Sequence, residues 1–142
     1  MNGRVLSIDP GHKRLGVALS DPTATLAAPL TVIKHVSLVR DCEEIVILAT
    51  NWEVTLILVG QALGGEGEET PQARHSKKIA NLLRELTAID IALWDESGTT
   101  RIARQTKIDM GVNRKKRSGH LDESAAAVIL QSYLDDHNKV VF

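Results

Sequence analysis

The sequence is poor in the features that would assign it to several large classes of protein. It has one cysteine, Cys42, in 142 residues, which excludes an internal disulfide and leaves no partner at zinc-finger spacing. Its aromatic residues are four, Trp52, Trp94, Tyr133 and Phe142. Recognition of bases on a platform of stacked rings is therefore not expected. The longest apolar runs, 45–50 and 55–59, fall far short of the roughly 20 residues that cross a bilayer, so no membrane association is expected. The opening M-N-G-R-V-L-S-I-D has no charged region ahead of a long apolar stretch, so the expected compartment is the cytoplasm. There is no internal repeat.

What is present suits one domain over residues 1–142. A chain of this size buries roughly two-thirds of its unfolded surface without a disulfide or structural metal. An apolar share of 43% and a charged share of 25% are ordinary for a globular chain. The net charge of −1 hides an uneven distribution. Arg101, Arg104, Lys107, Arg114, Lys115, Lys116 and Arg117 face a single acid, Asp109, between 101 and 117, a local charge of +6. A phosphate backbone responds to such a patch and not to the total.

Patterning predicts an α/β chain. Val5 to Asp9 and Leu15 to Ser20 read as strands across the turn Pro10-Gly11-His12-Lys13-Arg14, and a third strand is expected near Leu30 to Lys34. Leu38, Cys42, Ile45, Val46 and Ala49 then recur at helical spacing behind Ser37, with Arg40, Asp41 and Glu43 expected on the far side. Val54 to Val59 reads as a strand covered on both faces. Thr70-Pro71 opens a helix striped by Ile79, Leu82, Leu83 and Leu86, and Ile89 to Trp94 reads as another buried strand. Two helices are expected at about 100–108 and 121–135. Three strands followed by alternating helix and strand give a mixed sheet flanked by helices.

Three acidic positions stand apart from the solvated ones. Asp9 ends an apolar strand before a glycine turn, and ligands of open α/β sheets gather beyond strand ends. Asp95-Glu96 ends a second strand in the same way, and alternation leaves only one of the pair for any given site. Asp122 lies in the first turn of L-D-E-S-A-A-A-V-I-L-Q-S-Y-L, on the side of Ala125, Ala126 and Ile129, and the two alanines are small enough to let the helix lie close to the sheet. Carboxylates converging from two strands and a helix repel one another unless a divalent cation intervenes, and hard oxygen ligands suit Mg²⁺ or Mn²⁺. Two such ions about 4 Å apart activate water and stabilise the leaving oxygen in phosphodiester hydrolysis. With the +6 segment just upstream of Asp122, the combination points to a nuclease.

Several blocks carry a resemblance over nearly the whole chain. They are S-I-D-P-G-H-K-R-L-G-V-A-L-S-D at 7–21, A-P-L at 28–30, I-L-V-G at 57–60, W-D-E-S-G-T-T at 94–100 and the helix block at 121–134. In these the sequence resembles the YqgF/RuvX family, described as Holliday-junction resolvases and as pre-16S rRNA nucleases. The resemblance implies an RNase H-like fold with a five-stranded mixed sheet, its first three strands antiparallel. It implies that Asp9, Glu96 and Asp122 are the metal-binding catalytic carboxylates, with Asp95 a fourth ligand or a partner to them. Lys13, Arg14, Arg114, Lys115, Lys116 and Arg117 resemble contacts to a nucleic-acid backbone, either precursor rRNA or branched DNA. A monomer or weak homodimer is expected.

The chain departs from the family at Ser97, where an arginine is usual beside the site, and after Gly60, where Gln61-Ala62-Leu63-Gly64-Gly65-Glu66-Gly67 replaces the usual Leu-Pro and Asn-Met-Asp-Gly stretch. Strand four thus ends with no acid. Ser97 leaves open an alternative, a non-catalytic RNA-binding module of ribosome assembly on the same fold. An actin-like ATPase, which shares the Asp-x-Gly turn, would need a second lobe that 142 residues do not supply. His12 and His120 read as a turn residue and a neighbour of a helix cap, and Thr99 and Thr100 as helix caps.

Overall fold

Strand pairing orders the chain around one five-stranded sheet, β3-β2-β1-β4-β5. The computed structural model describes residues 3–63, 67–95 and 121–138, with the side chains of 121–124 outside that description. β1 (Arg4–Pro10), β2 (Arg14–Ser20) and β3 (Ala27–Lys34) form an antiparallel meander. α1 (Leu38–Asn51) then crosses to β4 (Val54–Gln61), parallel to β1, and α2 (Pro71–Leu86) crosses to β5 (Asp90–Asp95), parallel to β4. The last described element is α3 (Leu121–His137). The expected mixed sheet, with its first three strands antiparallel, is therefore observed. The helix expected at 100–108 lies outside the described residues.

Alternation along each strand divides the core into two layers. Leu6, Ile8, Leu15, Val17, Ile33, Ile57 and Val59 meet Cys42, Ile45 and Ala49 of α1 and Ile79, Ala80 and Leu83 of α2. Val5, Ala18 and Leu58 face the other way, onto Ala126, Ile129, Leu130, Tyr133 and Leu134 of α3. The α3 stripe repeats every three or four residues, which one helical face requires. Burial pushes the Cys42 thiol up to about 11, aided by the neighbouring Asp41 charge, so this cysteine is a packing residue.

Polar bonds fix α3 at two points. Ser7 Oγ, fully buried on β1, donates to the carbonyl of Ala126 (2.8 Å). Near its other end, Gln131 accepts from Ala27 N (2.9 Å) and donates to Thr25 O (3.0 Å), and Asn138 Nδ2 donates to Ala24 O (2.7 Å). α3 therefore runs from the end of the sheet where β1 finishes towards the β2–β3 turn. α2 is pinned on the opposite layer, where Ser76 Oγ donates to Gly60 O (2.8 Å) and the Thr70 side chain caps Ala73 N (3.0 Å).

Four expectations need correction. Asp41 is buried on α1, because it accepts from Val36 N (3.0 Å) and from His35 Nδ1 (2.5 Å) and so ties the β3–α1 corner. β5 is an edge strand of intermediate burial, since nothing pairs beyond it among the described residues. β3 begins three residues earlier than its apolar run, at Ala27, where the pairing partner Ser20 is still in β2. Leu86 is 40% exposed at the last residue of α2, past the end of the layer.

The β2–β3 turn is organised by Asp21, whose carboxylate accepts from the Thr23 hydroxyl and from Thr25 N (2.7 Å) and Leu26 N (2.9 Å). These bonds, the Thr23 hydroxyl first, hold its pKa well below the usual carboxylate range. Below about pH 4 the unfolded chain takes up this proton before the folded one, so the contribution is full above that pH and fades as pH falls further. Urea unfolding of Asp21→Asn should show lower stability than the parent at pH 7 and a gap that narrows from pH 4 to pH 2. A constant gap would place the effect elsewhere.

Candidate active site at the sheet edge

The ends of β1, β4 and β5 and the start of β2 lie along one edge of the sheet. Asp9 is the penultimate residue of β1. Its odd position follows Val5 and Ser7, so it belongs to the α3 layer. The residue paired with it on β2 is Gly16, and on β4 the residue after the Ile8–Val59 pair is Gly60. Both positions belong to the α3 layer by the same alternation. The Asp9 carboxylate is thus flanked by two residues that bring no side chain of their own. Beyond it the chain turns at Gly11, whose N–H donates back to Asp9 O (3.1 Å) and where a Cβ would lie 2.3 Å from Arg14 O. Only glycine fits that turn without moving the strand start.

The start of α3 reaches the same level. Asp9 lies two residues beyond Ser7, about 7 Å along the strand. Asp122 lies four residues before Ala126, the acceptor of the Ser7 bond, about 6 Å along the helix in the same direction. The Asp122 backbone and Asp9 are therefore brought to one edge, on one face.

Asp95 is placed differently. Gly60 pairs with Trp94 and Gln61 with Asp95, so Asp95 is two strands from Asp9, about 10 Å away in the backbone. On β5, Ala92 and Trp94 serve the α3 layer while Ile91 and Leu93 serve the other. The same alternation assigns Asp95, and Gln61 beside it, to the α1–α2 layer. The structure therefore does not bring Asp95 onto the face of Asp9. Glu96, the Asp122 side chain, the cluster Arg114, Lys115, Lys116 and Arg117, His120, Ser97, Thr99 and Thr100 lie outside the described residues. Trp94 packs edge-on against Tyr133 at 5.2 Å, which buttresses the end of β5 against α3.

Basic groups line the neighbouring edge. Arg14 pairs with Lys34 across β2 and β3, both exposed and both on the α3 face, and Lys13 is exposed in the turn. Like charges directly opposite cost stability in a sheet, and a bound polyanion offsets that cost. Lys34 was not singled out by sequence reading, nor were Gly16 and Gly60. The signal for all three is strand register, which a single sequence does not display. His12 is exposed in the turn and stacks on His75 of α2, ring centroids 5.1 Å apart.

Comparison with known proteins resolves the family. A model of the RuvX family, described as Holliday junction resolvase, matches residues 3–136. The chain belongs to the RuvX family. A relative from Roseiflexus sp. (strain RS-1), named "Putative pre-16S rRNA nuclease", is 41% identical over 133 residues, 94% of each chain. One of the same name from Clostridium kluyveri is 36% identical over 136 residues, 96% of this chain and 99% of that one. Among solved structures, Thermus thermophilus RuvC in complex with Holliday junction substrate superposes with a TM-score of 0.60 at 14% identity over 95% of both chains. The fowlpox virus resolvase complexed with Holliday junction DNA gives 0.58 at 13% identity, over 96% of this chain and 99% of that one. At such identities the likeness establishes the fold, which is the RNase H-like one of the RuvC resolvases. RuvX is thus a family of nucleases on that fold, as the sequence blocks implied. No described helix is long and apolar enough to cross a membrane.

If the space beside Asp9 serves the chemistry, filling it should cost activity more than folding. Gly16→Val should keep the hairpin, lose about 1–3 kcal/mol of stability through overpacking, and lower nuclease turnover at least about a hundredfold. A folded Gly16→Val protein with parental turnover would show that the space is not used.

Proposed function

We propose that this RuvX chain hydrolyses phosphodiester bonds in structured nucleic acid, with precursor 16S rRNA the first substrate and a Holliday junction the second, using Asp9, Glu96 and Asp122. The observation that carries the reading is the convergence of Asp9, flanked by Gly16 and Gly60, with the start of α3 at one edge and on one face of the sheet. The names of the two nearly full-length relatives favour rRNA, and the description of the family model keeps the junction in view.

The donor chemistry fits a hard divalent cation, Mg²⁺ or Mn²⁺. Carboxylates gathered at one edge need a positive charge between them, and oxygen ligands select such ions. Asp9, Glu96 and Asp122 would hold the cation, which supplies an activated water and charge neutralisation at the phosphate. Asp95 at the end of β5 belongs to the α1–α2 layer, which leaves Glu96 of this acidic pair as the proposed ligand. Arg14 and Lys34 on the same face, with Lys13 in the turn, would hold the phosphate backbone against the edge, and the 114–117 cluster would add to that hold. Positioning by phosphate contacts carries little sequence information, so shape selects the substrate. The cytoplasm, where precursor rRNA is found, is the corresponding place of action.

The test uses the full chain with Mn²⁺ or Mg²⁺ on a labelled rRNA-precursor mimic, a four-way DNA junction, linear duplex and single-stranded RNA. Metal-dependent cleavage is expected, strongest on the rRNA mimic. Asp9→Asn, Glu96→Gln and Asp122→Asn should each fall by more than about 100-fold, beyond the 10–100-fold typical of groups that only orient a ligand. Asp95→Asn should stay within about tenfold of the parent. Cleavage that survives all three substitutions would sink the assignment. Binding without cleavage across the panel would instead favour the non-catalytic assembly module, with Ser97 as the residue to revert to arginine.

A further inference from the structure

The sheet edge has a second side. On the α1–α2 layer the β1–β2 turn approaches α2, and there His12 and His75 stack with their ring planes 27° apart. Charges from each neighbouring element act on His75. His12 comes from the turn, His35 and Asp41 from the β3–α1 corner, and Lys78 from the next turn of α2. Arg74 adjoins it in sequence and is exposed, while the charge of Lys77 is taken by Glu69 at 2.8 Å. Asp41, the one acid in this group, already accepts from His35 Nδ1 and Val36 N. The surface therefore gathers potential positive charge around a pair of imidazoles, with Asp41 engaged and Asp95 at the end of β5 the other described acid of this layer at the edge. It lies at the edge that carries Asp9, since His12 is three residues further along, within about 10 Å of chain.

We propose that His12, His75 and Lys78 form a phosphate-binding surface that holds the nucleic-acid backbone on the α2 side of the sheet edge, and holds it more tightly when His75 is protonated. The inference rests on the nuclease reading for the identity of its ligand, and it adds a second hold on the layer opposite the carboxylates. Burial holds the His75 pKa below its ordinary value, and the charges of His12, His35 and Lys78 lower it further, against Asp41. In the free protein His75 is therefore neutral near pH 7. A phosphate against the pair supplies the missing counter-charge and draws the proton on, so affinity and protonation rise together. Because His75 is depressed in the free fold, protonation without a ligand weakens folding as pH drops below about 6.5, and a bound phosphate reverses this.

The test is fluorescence anisotropy of the full chain with a labelled linear duplex, in EDTA at constant ionic strength, at pH 8.0 and pH 6.0. The parent should bind about five- to tenfold more tightly at pH 6.0, the scale of one additional charge-assisted hydrogen bond. His75→Gln and His12→Gln should each bind within twofold of the parent at pH 8.0 and reduce the enhancement at pH 6.0 to under twofold. Lys78→Gln should weaken binding at both pH values. His12 is exposed, so its variant tests the surface even if His75→Gln proves unstable. An enhancement that persists in both histidine variants overturns the proposal. So does stabilisation by inorganic phosphate alone with duplex affinity unchanged in the variants, which would make this a site for the free anion. A parental pH response that the variants abolish, in a protein that cleaves nothing with Mn²⁺, upholds the surface and sinks only the nuclease. No duplex binding at either pH overturns the surface and leaves the nuclease reading to the metal-dependent cleavage panel.

Discussion

The closeness of α3 to β1 governs where the start of α3 stands relative to Asp9. Ser7 is fully buried and spends its hydroxyl on the Ala126 carbonyl, and Ala126 itself has only a methyl to place between helix and sheet. A larger residue at either position would lift the helix and take the start of α3 away from Asp9. The second anchor, Gln131 and Asn138 on the β2–β3 turn, fixes the direction of the helix axis. With two anchors, α3 can neither slide nor pivot, so the helix start is placed by packing around its middle and its far end. That separation lets the first turn of the helix carry a charge without having to stabilise the fold.

Charge at the edge is arranged by the two layers of the sheet. Asp9 shares its face with Arg14 and Lys34, so cationic side chains adjoin a carboxylate without either being directly opposite it; the position opposite is Gly16. Had Arg14 paired with Asp9, the two would neutralise each other and neither a cation nor a phosphate would be held. The register sets them two residues apart along the strand, so neither is the other's cross-strand partner. Like charges adjoining at Arg14 and Lys34 cost stability.

Much of this was legible from the sequence because β1, β2 and α3 obey their periods. Asp9 and the apolar stripe of α3 follow from alternation and helical spacing alone, and Ser37 and Thr70 cap α1 and α2 as read. The misreadings share one cause, which is that a single chain does not show what lies across from a residue. Asp41 reads as the polar side of an amphipathic helix, yet the backbone N–H of Val36, outside any strand or helix, draws it inside. Ile89 to Trp94 reads as a covered strand because its composition matches β4, but the last strand added to a sheet has one neighbour only. His75 carries no local signal at all, since its stacking partner is 63 positions earlier in the chain.

Register also separates what composition joins. Asp95 and Glu96 are both carboxylates and adjacent in sequence. Alternation along β5 sends Asp95 to the layer of α1 and α2, together with Gln61. The same alternation divides the turn after β1, for Arg14 belongs with the carboxylates while His12 meets α2. A strand edge so divided presents a phosphodiester chain with two unlike surfaces. One carries Asp9, Arg14 and Lys34, and the other carries the stacked His12 and His75. A backbone crossing the edge from one layer to the other would be gripped on both sides of the bond at Asp9.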